Sequence, residues 1–466
     1  MPEADRRNRP RRAIRTWPRR PGWVLAAALL ATAAAAQPPP TSRDANQPPL
    51  TLDKALRQIA AHSSAAVTSA LDLAAAKETT RRAQASFMPS ASVSAGYQAR
   101  DHEVVARFGA LQAPTTQQNF LTGELDIGYL LWDGGRRASA LATSKSAEEA
   151  TALRGQAGVT SAQLEGLASY MRVLALKAQR TVLAQRVTSL QDHLREVNDL
   201  FDQGVVARND LLATEVRLRL VQDQTGQVDN GEAVAMQMLN RLMGRSPAEP
   251  LALPASLPAP PPLPGTLDEL KKRSADANQQ LRALRAREKA EEAVVSLRRS
   301  ESYPTLFAQA AHTYQQNQYL VYPHANFLFL GVSWDAYDGG RRQAEVREAE
   351  AATARTREEI ADLQRRLAIE VEQAHREYAQ AVKEAATAQT NVKAAEENLR
   401  IEEDQYKAGL ARTTDVLDAE SVLAESRFSL VNRHYDAYLK QGVLLIAAGE
   451  DLAAFFAGLG SKGQEQ

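Results

Sequence analysis

The 466 residues include no cysteine. That one absence excludes disulfides, thiol catalysis, thiolate metal sites and a lipid anchor on an N-terminal cysteine. Histidine is scarce too. The seven present, His62, His102, His193, His312, His324, His375 and His434, are scattered, and no two show metal-ligand spacing. There is no Gly-rich phosphate loop and no nucleophile elbow. The usual grounds for expecting an enzyme, a cofactor or a dedicated metal centre are therefore missing. Beyond the N-terminal leader no apolar run is long enough for a spanning helix, which needs about 20 residues. An excess of one charge is lacking as well, because 56 Lys and Arg balance 56 Asp and Glu.

That balance is uneven along the chain. Met1 to Arg20 holds eight arginines against Glu3 and Asp5, which leaves a net −6 for the rest. An acidic body argues against a nucleic-acid partner. The arginines precede an apolar run from Trp23 to Ala36, and Ala34-Ala35-Ala36 offers small residues for cleavage before Gln37. Residues 1–36 read as a secretory signal peptide, followed by a short N-terminal segment, 37–50. An exported chain without a spanning helix is expected in the periplasm, outside the cell, or as a β-barrel of an outer membrane.

What the chain has is a duplication. Asp133-Gly134-Gly135-Arg136-Arg137 returns as Asp338-Gly339-Gly340-Arg341-Arg342, 205 positions later. Gly204, Asp210, Leu212 and Glu215 return at the same offset as Gly409, Asp415, Leu417 and Glu420. Upstream, Thr51-Leu52-Asp53 and Pro89 return as Thr266-Leu267-Asp268 and Pro304, now 215 positions on. Each copy is thus a lead-in, an insert ten residues shorter in the second copy, and a block of constant length. A repeat this long is a duplicated structural unit rather than a solenoid motif. The copies span 51–249 and 266–449. Between them Pro250 to Gly265 holds seven prolines and reads as a stiff linker. Residues 450–466 form a tail that either packs on the middle of the molecule through Phe455 and Phe456 or frays.

Within the first copy, residues 51–85 lack Pro and Gly and predict one lead-in helix. A strand pair is expected over 90–133. Ala91, Val93, Ala95 and Tyr97 alternate with small polar residues, and Leu121, Leu125, Ile127 and Tyr129 alternate in the same way. Residues 101–118 between them are mixed and polar and predict a loop. The second copy repeats the phase over 305–338, with Leu306, Ala308 and Ala310, then Leu328, Leu330, Val332 and Trp334. One apolar face, one more polar face and aromatic ends are the pattern of a membrane-barrel strand; a soluble hairpin lying on a core is the competing reading. Long helical hairpins follow over 136–243 and 341–448. Leu183, Val187, Leu190, Leu194, Val197 and Phe201 step by four and three, the period of a left-handed supercoil. Ala388, Val392, Ala395, Leu399, Glu402 and Tyr406 keep the same steps. The chain reverses at Gly204 and Gly409. The lead-in and return helices together match the long helix, so two short helices are expected to stack beside one long one.

Four membrane strands cannot stand alone, because an open sheet leaves unpaired N–H and C=O groups in lipid. Closed barrels begin at about eight strands. Chains must therefore combine, and closure favours cyclic symmetry. Three copies give twelve strands and room for a channel. The expected fold class is mainly α with a membrane β-barrel completed by oligomerisation. A periplasmic coiled-coil adaptor or scaffold without a barrel is the alternative.

The duplication, the two strand pairs, the two Asp-Gly-Gly-Arg turns, and Tyr406-x-x-Gly409 followed by Asp415-Val416-Leu417-Asp418-Ala419 resemble one known family. It is the TolC-like outer-membrane factors, the exit ducts of Gram-negative efflux pumps and type I secretion systems. The resemblance covers about 50–450. It implies a homotrimer with a twelve-stranded barrel in outer-membrane lipid and a periplasmic α-helical barrel. It further implies a periplasmic adaptor (membrane fusion protein) and an inner-membrane pump of RND, ABC or MFS type. Asp415 and Asp418 match the family's paired aspartates at the periplasmic entrance, and Tyr406 matches a tyrosine of the closing links. The family's arginine position falls on Ala411, with Arg412 one residue on. The family's lipid-anchored branch begins with a cysteine that this chain lacks.

The repeat separates scaffold from function. Asp210 and Asp415 share a repeat position where a helix begins, so both are expected as N-caps. Asp418 has Ala213 as its counterpart, so the shared fold does not need a carboxylate there; a capping-box acid at N3 is the structural alternative. Copies of Asp415 and Asp418 around an axis would form a cation-attracting ring. Gly134, Gly135, Gly339 and Gly340 are expected to permit the strand-to-helix kink, with Gly204 and Gly409 making the far turns.

Overall fold

The computed structural model describes residues 49–457. The expected signal peptide and the end of the tail lie outside the described residues. Each copy holds two lead-in helices, two long strands, one very long helix and one return helix. In the first copy these are α1 (Leu52–His62), α2 (Ser64–Ala85), β1 (Ser90–Ala99), β4 (Asn119–Trp132), α3 (Arg136–Asp202) and α4 (Arg208–Leu242). In the second they are α5 (Leu267–Ala277), α6 (Gln279–Ser300), β5 (Thr305–Gln315), β6 (His324–Ser333), α7 (Arg341–Lys407) and α8 (Thr413–Ala447). Helix α9 (Leu452–Phe456) ends the described chain. The first copy alone adds a hairpin, β2 (Val104–Phe108) and β3 (Leu111–Thr116), turning at Gly109 with φ +65°. Residues 101–118 are therefore not a plain loop. The two strands are too short and too mixed in polarity to show a clear alternation in the sequence.

The lead-in is not one helix. It breaks at Ser63, whose ψ of 154° is extended and whose Oγ accepts from the Ala66 N–H. Asn278 does the same in the second copy, accepting from Leu281 N–H at 3.0 Å. Serine and asparagine cap helices as readily as proline interrupts them, so the absence of Pro and Gly does not guarantee continuity.

Helices α3 and α7 have 67 residues each, about 100 Å at 1.5 Å per residue. Beside α3 lie α1, α2 and α4, of 11, 22 and 35 residues, so two short runs stack against one long helix. They meet at a mid-height core of Leu56, Ile59, Leu167, Tyr170, Leu174, Leu239 and Met243. Phe456 of α9 is buried in this belt beside Tyr438, which settles the tail's packing as far as it is described. The Pro-rich linker is fastened across α8. Tyr438 donates to Pro258 O at 2.8 Å, and His434 Nε2 lies 3.1 Å from Leu257 O.

The four long strands form one antiparallel sheet in the order β1-β4-β5-β6. Its register pairs Val93 with Leu125, Ala310 with Leu328 and Leu306 with Val332. Directly opposed residues share a face, so these side chains make one apolar surface. It has no cover in the protomer: Val93 is 80% exposed and Leu328 74%. The other face carries Ser92, Ser94, Glu124 and Asp126, and Gln309 donates to Asp126. Among the described residues no helix is long and apolar enough to cross a membrane.

Candidate functional site

The strand-to-helix turn is built identically twice. Gly134 and Gly135 have φ of +63° and +90°, and Gly339 and Gly340 of +68° and +88°, a region closed to most L side chains. Asp133 holds the turn, accepting from Gly135 N–H at 3.2 Å and from Arg137 N–H at 2.9 Å. Arg137 Nε closes back on the same carboxylate at 3.0 Å. Asp338 repeats this with Gly340 and Arg342, and the Arg342 hydrogen bond holds its carboxyl below the usual range. The second arginine of each pair is thus committed to the turn.

The far ends of the long helices carry the other expected residues. Gly204 and Gly409 have φ of +74° and +71°. Each follows a Schellman-type closure, with Val205 N–H on Leu200 O and Leu410 N–H on Gln405 O, both at 2.9 Å. Val197, Tyr406 and Val416 form a small core between the two tips, flanked by Leu211 and Ala411.

Asp210 and Asp415 are not N-caps. The return helices start three residues earlier than that expectation, with Ala207 and Arg412 in the cap positions. Both aspartates stand at N3. Asp415 reaches back to accept from the Arg412 N–H at 2.8 Å, the acidic half of a capping box. Asp418 lies one turn further on, exposed, so it is not the N3 acid either. It lines a groove of about 640 Å3 between α4 and α8 with Leu212, Ala213, Val216, Arg217 and Leu417. Its repeat counterpart Ala213 faces the same groove.

Tyr406 is buried at the tip. The Thr413 hydroxyl donates to its phenol at 3.4 Å, and its ring meets His193 edge-on with centroids 5.2 Å apart. Burial, with Glu196 and Asp210 nearby, pushes its hydroxyl pKa up. Arg412 is exposed, and it meets Asp415 through its backbone N–H. The structure thus brings Tyr406 and Asp210 together and leaves Asp418 and Arg412 on the surface.

Sequence reasoning missed two features. One is a cavity of about 550 Å3 beside Tyr406, lined by Asp192, His193, Glu196, Glu403 and Lys407. Burial pushes the His193 pKa down and the Glu403 pKa up. The other is an ion pair between Arg186 of α3 and Glu420 of α8, at 2.8 Å and 3.0 Å from Nε, with Arg186 also donating to Ser421 Oγ. The recurrence of Glu215 as Glu420 was its only sequence signal. Among the described residues no group of three or more His, Cys, Asp or Glu could hold a metal ion.

An open sheet with one apolar face is joined through rigid turns to long helical hairpins. Residues 270–450 match the family model described as outer membrane efflux protein. That match lies in the second copy, whose helices and long strands recur in the first copy in the same order. Over those residues the chain is similar to the outer membrane efflux protein family. Solved structures agree in fold. The outer membrane protein VceC of Vibrio cholerae is similar at 17% identity and TM-score 0.73, over 86% of this chain and 96% of that one. The CmeC outer membrane channel of Campylobacter jejuni is similar at 13% identity and TM-score 0.73, over 85% of each chain. The MtrE outer membrane channel of Neisseria gonorrhoeae, in its open state, is similar at 15% identity and TM-score 0.70, over 86% and 89%. No curated protein matches the sequence.

Proposed function

We propose that three copies of this chain close a twelve-stranded barrel in the outer membrane and extend it into the periplasm as a helical tube. The tube is a passive exit duct for efflux or type I secretion. It supplies no energy; cargo comes from an inner-membrane pump through a periplasmic adaptor. The observation that carries this reading is the sheet. Its edges, β1 and β6, are unpaired, and its apolar face is uncovered. In lipid such edges must find partners. The helices agree, since Leu212, Val216 and Leu220 make an exposed stripe along α4.

At the tip, Asp415 and Asp418 form the acidic ring of the entrance. Asp418 is the more telling of the two, because Asp415 already serves its helix. Tyr406, Arg412 and Asp210 belong to the closing contacts, with Arg412 reaching across to a neighbouring protomer. The test is conductance in a planar lipid bilayer. The purified protein is expected to conduct ions with a preference for cations, and Asp418→Asn to reduce that preference while leaving expression and assembly intact. No conductance in any variant, including ones that loosen the tip, would refute the duct. Conductance with unchanged selectivity would remove Asp418 from the entrance.

A further inference from the structure

We propose that His312 and His324 form a binding site for a divalent transition-metal ion on the outward face of the barrel, near its loop end. The two histidines are twelve residues apart in the sequence, a separation without meaning for a helix or a single strand. The β5–β6 register makes them diagonal neighbours: His312 opposes Asn326 and Tyr314 opposes His324. His312 also opposes Leu125 on β4, so the pair shares the apolar face.

Three features fit a metal. First, His312 Nε2 and His324 Nδ1 lie 3.4 Å apart. Two nitrogens bound at about 2.0–2.1 Å to one tetrahedral zinc ion are separated by about 3.4 Å. Second, His312 Nδ1 lies 2.7 Å from Asn326 Oδ1. An imidazole that donates its Nδ1–H to a carbonyl has its Nε2 lone pair free, and ligating histidines are commonly oriented this way. Third, the second ring is held in place. Tyr314 lies 4.9 Å from His324 between ring centroids, at an interplanar angle of 33°. Without metal, one proton between the facing nitrogens satisfies them; an ion replaces that proton. Two protein ligands leave two coordination positions for water. The site lies within one hairpin of one protomer, so it stands or falls separately from the trimer.

The test is a calorimetric titration of the tag-free, detergent-solubilised protein with Zn2+. One ion per chain is expected, lost in His312→Ala and in His324→Ala. Asn326→Leu keeps both imidazoles and is expected to weaken binding about tenfold or more, as loss of an orienting partner does. Circular dichroism of each variant must match the parent, so that loss of binding is not loss of fold. Absence of stoichiometric Zn2+ binding by the parent would overturn the proposal. Undiminished binding by the double variant His312→Ala/His324→Ala would overturn it too, because the ion would then sit on other histidines.

Discussion

Arg186 and Glu420 are the most consequential charged pair inside the helical body. Both side chains are nearly out of water, and burial pushes the Glu420 carboxyl up even with the guanidinium beside it. A pair this far out of water is weak as a source of stability and strong as a constraint on which faces of α3 and α8 meet. Removing one partner leaves the other charge stranded. Arg186→Met or Glu420→Leu alone is expected to destabilise the helical body by about 3 kcal/mol. The double variant is expected to come close to the parent. Thermal unfolding in detergent reads the cycle; a double variant as unstable as the sum of the singles would contradict it. A raised carboxyl pKa means that the folded state holds the proton more tightly. Through this group alone, stability is therefore lost as pH rises from the unfolded pKa through the folded one.

Among elements, the long helices were legible because apolar residues keep one period over many turns. Leu183, Leu190 and Val197 are buried on that stripe, as are Ala388, Val392 and Ala395 in the second copy. The strands were legible because the sheet has two chemically different faces. Helix starts were not. Asp210 and Asp415 look like caps, yet an acid at N3 also serves a helix start, by accepting from the N-cap N–H three residues back as Asp415 does, and only geometry separates the two. The Arg186–Glu420 pair and the His312–His324 pair were hidden because each joins different elements, and sequence spacing carries no information across a tertiary contact. The β2–β3 hairpin was hidden for a third reason. It lies in the insert that is ten residues longer in the first copy, with no counterpart to confirm its phase. Tyr319 donates to Glu103 at 3.0 Å and Asn317 to Thr115 O at 2.8 Å, so the hairpin is tied to the β5–β6 loop. The β1–β4 ladder itself runs from Ser90↔Gly128 to Ala99↔Asn119 without it. Replacing 101–118 with a short Gly-containing turn is therefore expected to preserve membrane insertion and oligomer size. Loss of insertion would show that the hairpin helps to form the barrel.

For the whole molecule the central claim is closure. The protomer has two free edges that face opposite ways; in the proposed trimer one copy's β1 meets another's β6, and the interface repeats head to tail until it closes. The absence of native cysteine makes this directly measurable. Ser92 or Ser94 on β1 and Phe327 or Phe329 on β6 share the inner face. Within one chain β4 and β5 separate them by about 14 Å at 4.8 Å per strand, too far for a disulfide, whose Cα atoms lie within about 7 Å. A chain carrying one cysteine on each edge, oxidised in outer membranes and run without reductant, is expected to give crosslinked dimers and trimers and nothing larger. Monomer alone at every pair of positions, a series that stops at dimer, or one that continues past trimer would contradict the account.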